Sequence, residues 1–103
     1  MVCVKRLICL IFGANMRLFE SDRAESDKLK IKKSYPKATQ NRLVKMVNEM
    51  LVTPFKGIGK PEPLKYELAG MWSRRLTDKE RVVYYIENDT VNIVSYLSHY
   101  ADK

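Results

Sequence analysis

The stretch RVVYYIENDTVNIVSYLSHY, residues 81–100, decides the fold class. Arg81 to Glu87 is rich in Val and Tyr, side chains that suit a pleated, half-buried surface. Asn88-Asp89-Thr90 is turn chemistry, and Val91 to Tyr100 returns with strand character, which predicts a β-hairpin. Upstream, Leu64 to Leu68 and Met71 to Leu76 read as two more strands joined around Ala69-Gly70. A Gly/Pro-rich loop, Phe55 to Pro63, precedes them. Before it, Leu43, Met46, Val47, Met50 and Leu51 recur at i, i+3, i+4, i+7 and i+8, one continuous helical stripe that Pro54 ends. Its methionines read as core packing rather than a partner groove. Ser34-Tyr35-Pro36 punctuates, since Pro fits the first turn of a new helix. Asp22 to Lys33 is a candidate helix with few apolar residues. Helices first, then four strands, predict an α+β domain with N-terminal helices packed on a C-terminal antiparallel sheet.

The chain has 103 residues, enough for one small domain. Its 46% hydrophobic and 30% charged content reads as globular rather than disordered. Nineteen Lys and Arg against 12 Asp and Glu give a net charge of +7, which favours polyanionic partners: RNA, DNA, an anionic membrane surface or an acidic protein. Cys3 and Cys9 both fall near the start and cannot staple the rest. His99 is the sole histidine, so no Cys/His cluster has zinc spacing. Reduced thiols, no metal, no cofactor and a cytoplasmic setting are expected.

At the N-terminus a short basic stretch, Val2 to Arg6, precedes the apolar run Leu7-Ile8-Cys9-Leu10-Ile11-Phe12. The run is short for a signal peptide and far too short to span a bilayer. It reads as a buried strand, a poor export signal or an upstream extension. The extension is favoured, because a strand beginning, Arg17-Leu18-Phe19, directly follows Met16. The expected division is an extension over residues 1–15 and one domain over 16–103.

Seven residues carry candidate chemistry. Glu62 lies between Pro61 and Pro63, which stiffen the backbone and hold a carboxylate at low entropic cost, as a general base requires. Lys65, Arg74, Arg75 and Arg81 lie in or beside strands and are candidates to clamp a phosphate. Arg74 and Arg75 should point to opposite faces, so that one at most faces a given site. His99 supplies an imidazole, the side-chain type best suited to general acid work. Tyr100 beside it suits a hydrogen bond to phosphate or stacking on a base. Each has a plainer reading: a solvated turn for Glu62, a basic sheet surface for the arginines, and exposed or packed structure for His99 and Tyr100. Hairpin register bears on the pairing. A three-residue loop would make Arg81 and His99 diagonal neighbours, and a two-residue loop would separate them. One carboxylate, one histidine and several cations form the parts list of a metal-free ribonuclease.

The segment Thr53-Pro54-Phe55-Lys56-Gly57-Ile58-Gly59-Lys60-Pro61-Glu62-Pro63-Leu64-Lys65 resembles the hallmark loop of the YoeB (Txe) toxins, within the RelE-like superfamily. Leu68-Ala69-Gly70-Met71-Trp72-Ser73-Arg74-Arg75-Leu76 is similar to that family's Leu-Ser-Gly-aromatic-Trp-Ser-Arg-Arg-Ile. Arg81-Val82-Val83-Tyr84 matches its Arg-Leu-Val-Tyr, and His99-Tyr100 its terminal His-Tyr. Order and spacing agree without gaps from Thr53 to Tyr100. The resemblance implies a RelE-like fold and a ribosome-dependent messenger RNA endonuclease that inhibits translation. It implies Glu62 as general base, His99 as general acid and Arg81 as transition-state stabiliser. It implies Lys65 and Arg75 as phosphate holders and Tyr100 as a substrate-positioning group. A YefM-like antitoxin covering the active site, the ribosome and its message, and often a second copy of the toxin are the implied partners, with no membrane. The chain departs from the family pattern in three places. Asp22 to Lys33 lacks the aromatic residues of the usual first helix. Residues before Met16 have no counterpart. Ala101-Asp102-Lys103 follow the His-Tyr pair.

Two other functions compete with the enzyme. One is a catalytically degenerate toxin homologue that binds antitoxin or nucleic acid without cutting. The other is a basic DNA-binding protein, for which no helix-turn-helix pattern or basic recognition helix is visible.

Overall fold

The computed structural model describes residues 8–9 and 16–99. In chain order the elements are β1 (Ile8–Cys9), β2 (Arg17–Glu20), α1 (Asp22–Ser34), α2 (Lys37–Met50), β3 (Glu62–Pro63), β4 (Trp72–Arg75), β5 (Glu80–Glu87) and β6 (Thr90–His99). The six strands form one sheet in the order β1-β2-β6-β5-β4-β3. The C-terminal strands are antiparallel, as their sequence predicts. The strand at Arg17–Glu20 adds itself parallel to β6, so the complete sheet is mixed. Of the expected extension over residues 1–15, only Ile8–Cys9 falls within the described residues, and it pairs antiparallel with Arg17–Leu18. Cys3 and Tyr100 lie outside the described residues.

Both expected helices form. Ser21 caps α1, its hydroxyl accepting from the Ala24 amide at 3.0 Å. Asp22 and Glu25 in the first turn and Lys32 and Lys33 in the last complement the helix dipole. These end effects, together with burial of Ala24, Asp27 and Ile31, sustain a helix whose apolar stripe is thin. Pro36 stands at the N-cap of α2, and Leu43, Met46 and Met50 face inward from it. They meet Val82, Tyr84, Val91, Ile93 and Tyr96 of β5 and β6, all under 2% exposed, with Leu18 of β2. The core thus lies between the helices and one face of the sheet. Among the described residues no helix is long and apolar enough to cross a membrane.

One expected strand is replaced. Leu64 to Leu68 does not extend. After the two-residue β3 the Leu64 amide still donates to the Met71 carbonyl at 2.8 Å, and a 3₁₀ turn, Tyr66–Leu68, follows. Tyr66 then adopts a left-handed backbone, φ +57°, which ends any extended run.

The hairpin register departs from the three-residue loop. The turn has two residues, Asn88 and Asp89, at φ +55° and +56°, the signs a type I′ turn requires. Glu87 therefore pairs with Thr90. Continued evenly, that register would carry Arg81 away from the end of β6. Two register shifts, between Tyr84 and Val83 and between Val83 and Arg81, bring Arg81 opposite Ser98 instead. Along β6 the in-out alternation breaks, and Ser95, Tyr96 and Leu97 are buried in succession. Asp27 of α1 holds this irregularity. Its Oδ2 accepts from the Tyr96 and Leu97 amides at 3.0 and 3.1 Å. Bulges of this kind re-aim the residues that follow them, here Ser98 and His99.

Candidate active site

The loop between α2 and β3 is built around Arg74. This guanidinium is fully buried. Nη1 meets Glu49 Oε1 at 2.8 Å. Nη2 donates to the carbonyls of Thr53 at 2.9 Å and Lys56 at 2.8 Å, with longer contacts to Pro54 and, from Nη1, to Ile58. Nε donates to the Tyr84 hydroxyl at 3.1 Å, and that hydroxyl donates to the Pro54 carbonyl at 2.7 Å. Burial pushes the Tyr84 phenol up, so it stays a donor. A loop of this length has carbonyls with no ladder partner, and buried carbonyls must be satisfied. The planar fork of one arginine satisfies several at once. Glu49 completes the arrangement by accepting from the Ile58 amide at 2.7 Å. Gly57, at φ +127°, is required here, since a Cβ would sit 1.8 Å from Glu49 Oε1.

This fixed loop delivers Pro61-Glu62-Pro63 to the sheet. Glu62 pairs with Ser73, and Ser73 with Val83. On the sheet face away from the helices lies a cleft of about 800 Å³. Glu62, Lys65, Arg81 and His99 all line it, with Ser73 and Ser98 in its floor and side. Arg81 is buried, and its Nη1 lies 3.8 Å from Glu62 Oε1, a loose ion pair with the carboxylate half exposed. His99 is exposed at the end of β6, and Lys65 is exposed beside β3.

The structure brings Glu62, Lys65, Arg81 and His99 to one cleft, four of the six residues singled out from sequence for catalysis and substrate binding. Arg75 is exposed at the end of β4, opposite Arg81 in register and outside the cleft lining. Tyr100 lies outside the described residues. Arg74, weighed as a phosphate clamp, faces the loop and not the cleft. Its type and strand position fit both roles, and only its acceptors tell them apart. Sequence reading missed Asp27 and Glu49, which sit on helices and carry no motif signal. It also missed Ser73, whose hydroxyl is buried without a hydrogen-bond partner among the described residues. Strand alternation from Arg74 would have placed Ser73 on the cleft face.

Two helices on one face of a mixed sheet are a fold shared with solved bacterial toxins of the YoeB type. The toxin of the YoeB dimer from Staphylococcus aureus matches this fold with a TM-score of 0.75 and 28% identity, over 84% of this chain and all of that one. The same organism's toxin in a heterotetrameric YoeB-YefM toxin-antitoxin complex matches with a TM-score of 0.72. Toxin YoeB of Escherichia coli K12 is 42% identical over 89 residues, 82% of this chain and the whole of that protein. The family described as the YoeB-like toxin of bacterial type II toxin-antitoxin systems matches residues 22–100, and the chain belongs to it. The match therefore reaches upstream of Thr53, through both helices.

Proposed function

We propose that this toxin is a messenger RNA endoribonuclease that acts on the ribosome without a metal. The observation that carries the reading is the shared cleft: a carboxylate, a histidine and two cations line one cavity on the exposed face of the sheet. In the proposed reaction the Glu62 carboxylate takes the proton from a ribose 2′-hydroxyl. The 2′-oxygen attacks the adjacent phosphorus, and the bond from phosphorus to the 5′-oxygen breaks. The imidazolium of His99 gives that oxygen its proton, leaving a 2′,3′-cyclic phosphate. Arg81, held at the cleft wall, and Lys65 at its rim stabilise the charge that builds on the phosphoryl oxygens. Without substrate, Arg81 faces Glu62 at 3.8 Å. A phosphate entering the cleft competes for the guanidinium and leaves the carboxylate to act as base. Arg75 and Tyr100 are proposed to assist in holding and positioning the substrate.

The partner reading follows the relatives. An antitoxin of the YefM type, with an acidic segment facing the basic cleft, would block it, and a homodimer is the expected assembly. The toxin offers little surface for reading RNA sequence, so the ribosome is expected to present the message. Binding should weaken as salt rises, because phosphate contacts release counterions. The test is cleavage of a defined message on programmed ribosomes, with product ends mapped to codons. Cleavage confined to translated codons is the expected result. Equal, codon-patterned cleavage of naked RNA would remove the ribosome from the reading. A folded protein that cuts neither would leave an antitoxin-binding module.

A further inference from the structure

Tyr66, which opens the 3₁₀ turn after β3, takes no part in the proposed reaction. At 90% exposure it is far more open than the other exposed large apolar side chains among the described residues, which range from 46% to 61%. Every other position with positive φ outside glycine is either a turn residue suited to it, Asn88 and Asp89, or Lys60. Lys60 and Tyr66 bracket the segment that carries Glu62. A bulky side chain in the left-handed region is a strained choice that persists when the surroundings enforce it. Here the turn does so: the Leu68 amide donates to the Lys65 carbonyl and the Ala69 amide to the Tyr66 carbonyl, both at 3.1 Å. The turn presents the ring to solvent, on the cleft that it lines together with Glu62, Lys65 and Arg81. Its hydroxyl makes no hydrogen bond among the described residues, so the ring is not there to secure the turn.

We propose that Tyr66 is a stacking platform for one base of the single-stranded message, holding it at the cleft while the adjoining phosphate meets Lys65 and Arg81. The proposal rests on the RNA-cleaving reading for its ligand. The chemistry is that of single-strand recognition, in which cations track the backbone and an exposed ring takes a base on its π-face. Stacking accepts any base, which suits a site whose substrate is presented by a larger machine.

The test titrates the full chain with a 2′-O-methylated RNA trinucleotide, which cannot be cut, and follows the Tyr66 ring resonances by NMR. They should move upfield as a base stacks. Tyr66→Ala should weaken binding by about 5- to 150-fold, and Tyr66→Phe should restore it to within about twofold. Both variants are then assayed on programmed ribosomes, where Tyr66→Ala should raise KM more than it lowers kcat. Unmoved ring resonances, or wild-type affinity in Tyr66→Ala, would overturn the proposal even if the ribosome assay shows cleavage. Ring shifts and lost affinity with no cleavage by the wild type would uphold stacking and sink the nuclease. A Tyr66→Ala variant that loses only its hold on an antitoxin would assign the ring to that partner and refute RNA stacking.

Discussion

Arg74 and Arg81 lie on neighbouring strands, one residue out of register and on opposite faces of the sheet. Both are buried, and their surroundings differ in kind. Arg74 is enclosed by a carboxylate, a phenol and four carbonyls, and each of its nitrogens has an acceptor. Arg81 opens onto a cleft, with a carboxylate at 3.8 Å. A guanidinium with all its donors committed shapes the chain around it. One that faces a cavity beside a loosely held carboxylate is placed to receive an anion. The same residue type thus serves architecture on one face and proposed chemistry on the other.

The comparison is broken most severely at Arg74. Arg74→Ala leaves Glu49, which is partly exposed, and the loop carbonyls without their donor; each buried acceptor left unsatisfied costs about 1–3 kcal/mol, so the total should reach about 3 kcal/mol or more. Against a total of roughly 5–15 kcal/mol for a small domain, the melting point should fall by about ten degrees or more. Thermal melts monitored by circular dichroism measure this, and a melting point within a few degrees of wild type would deny Arg74 its role.

On the other face the expected effect is on rate. Glu62→Gln and His99→Gln should each slow ribosomal cleavage by about 100- to 10,000-fold, the usual weight of a general acid or base, with melting unchanged. Arg81→Ala should fall near the lower end of that range. Folded variants of Glu62 and His99 cutting at wild-type rate would sink the mechanism.

Asp27 links the two faces. Asp27→Ala leaves the Tyr96 and Leu97 amides unsatisfied, at about 1–3 kcal/mol for each buried donor. Cleavage should fall with stability, since the bulge that aims Ser98 and His99 loses its acceptor. Melting and cleavage measured together test the link. A destabilised variant with full kcat at a temperature where it stays folded would show that the bulge does not position His99.

The smallest effect belongs to Arg75. It is exposed, and Arg75→Ala should change stability by no more than about 0.5 kcal/mol. If it meets phosphate, kcat/KM should drop by about fivefold or less, the weight of an exposed ion pair of roughly 0–1 kcal/mol. A fall of a hundredfold would move Arg75 into the centre of the site.

The sequence was legible where local chemistry is decisive. The Leu43 to Leu51 stripe marks α2 because a 3.6-residue period has one interpretation at that length. The Val- and Tyr-rich runs around Asn88 mark a hairpin, and Pro61 and Pro63 mark a stiff carrier for Glu62. The motif from Thr53 to Tyr100 identified the family and named the candidate acid, base and cations. The site's assembly was less legible. Hairpin register depends on turn length and on bulges, and a bulge held from α1 by Asp27 leaves no trace in the strand's own residues. The helix Asp22–Ser34 was faint in sequence because its stability comes from its cap, its end charges and its packing against β6.

By itself, then, the sequence determined the order of helices and strands, the basic charge, and the residue types at the proposed site. Each of these follows from side-chain spacing and backbone preference within a dozen residues. Tertiary structure decided which arginine clamps the loop and which faces the cleft. It also decided that β2 joins β6 in parallel, that Tyr66 lines the cleft, and that Ser98 and His99 reach Arg81 across a shifted register. These depend on partners 10 to 76 residues apart in the chain, from Arg74 and Tyr84 to Glu20 and Tyr96. No local preference encodes them, because their free energy comes from satisfying buried polar groups after the chain has packed.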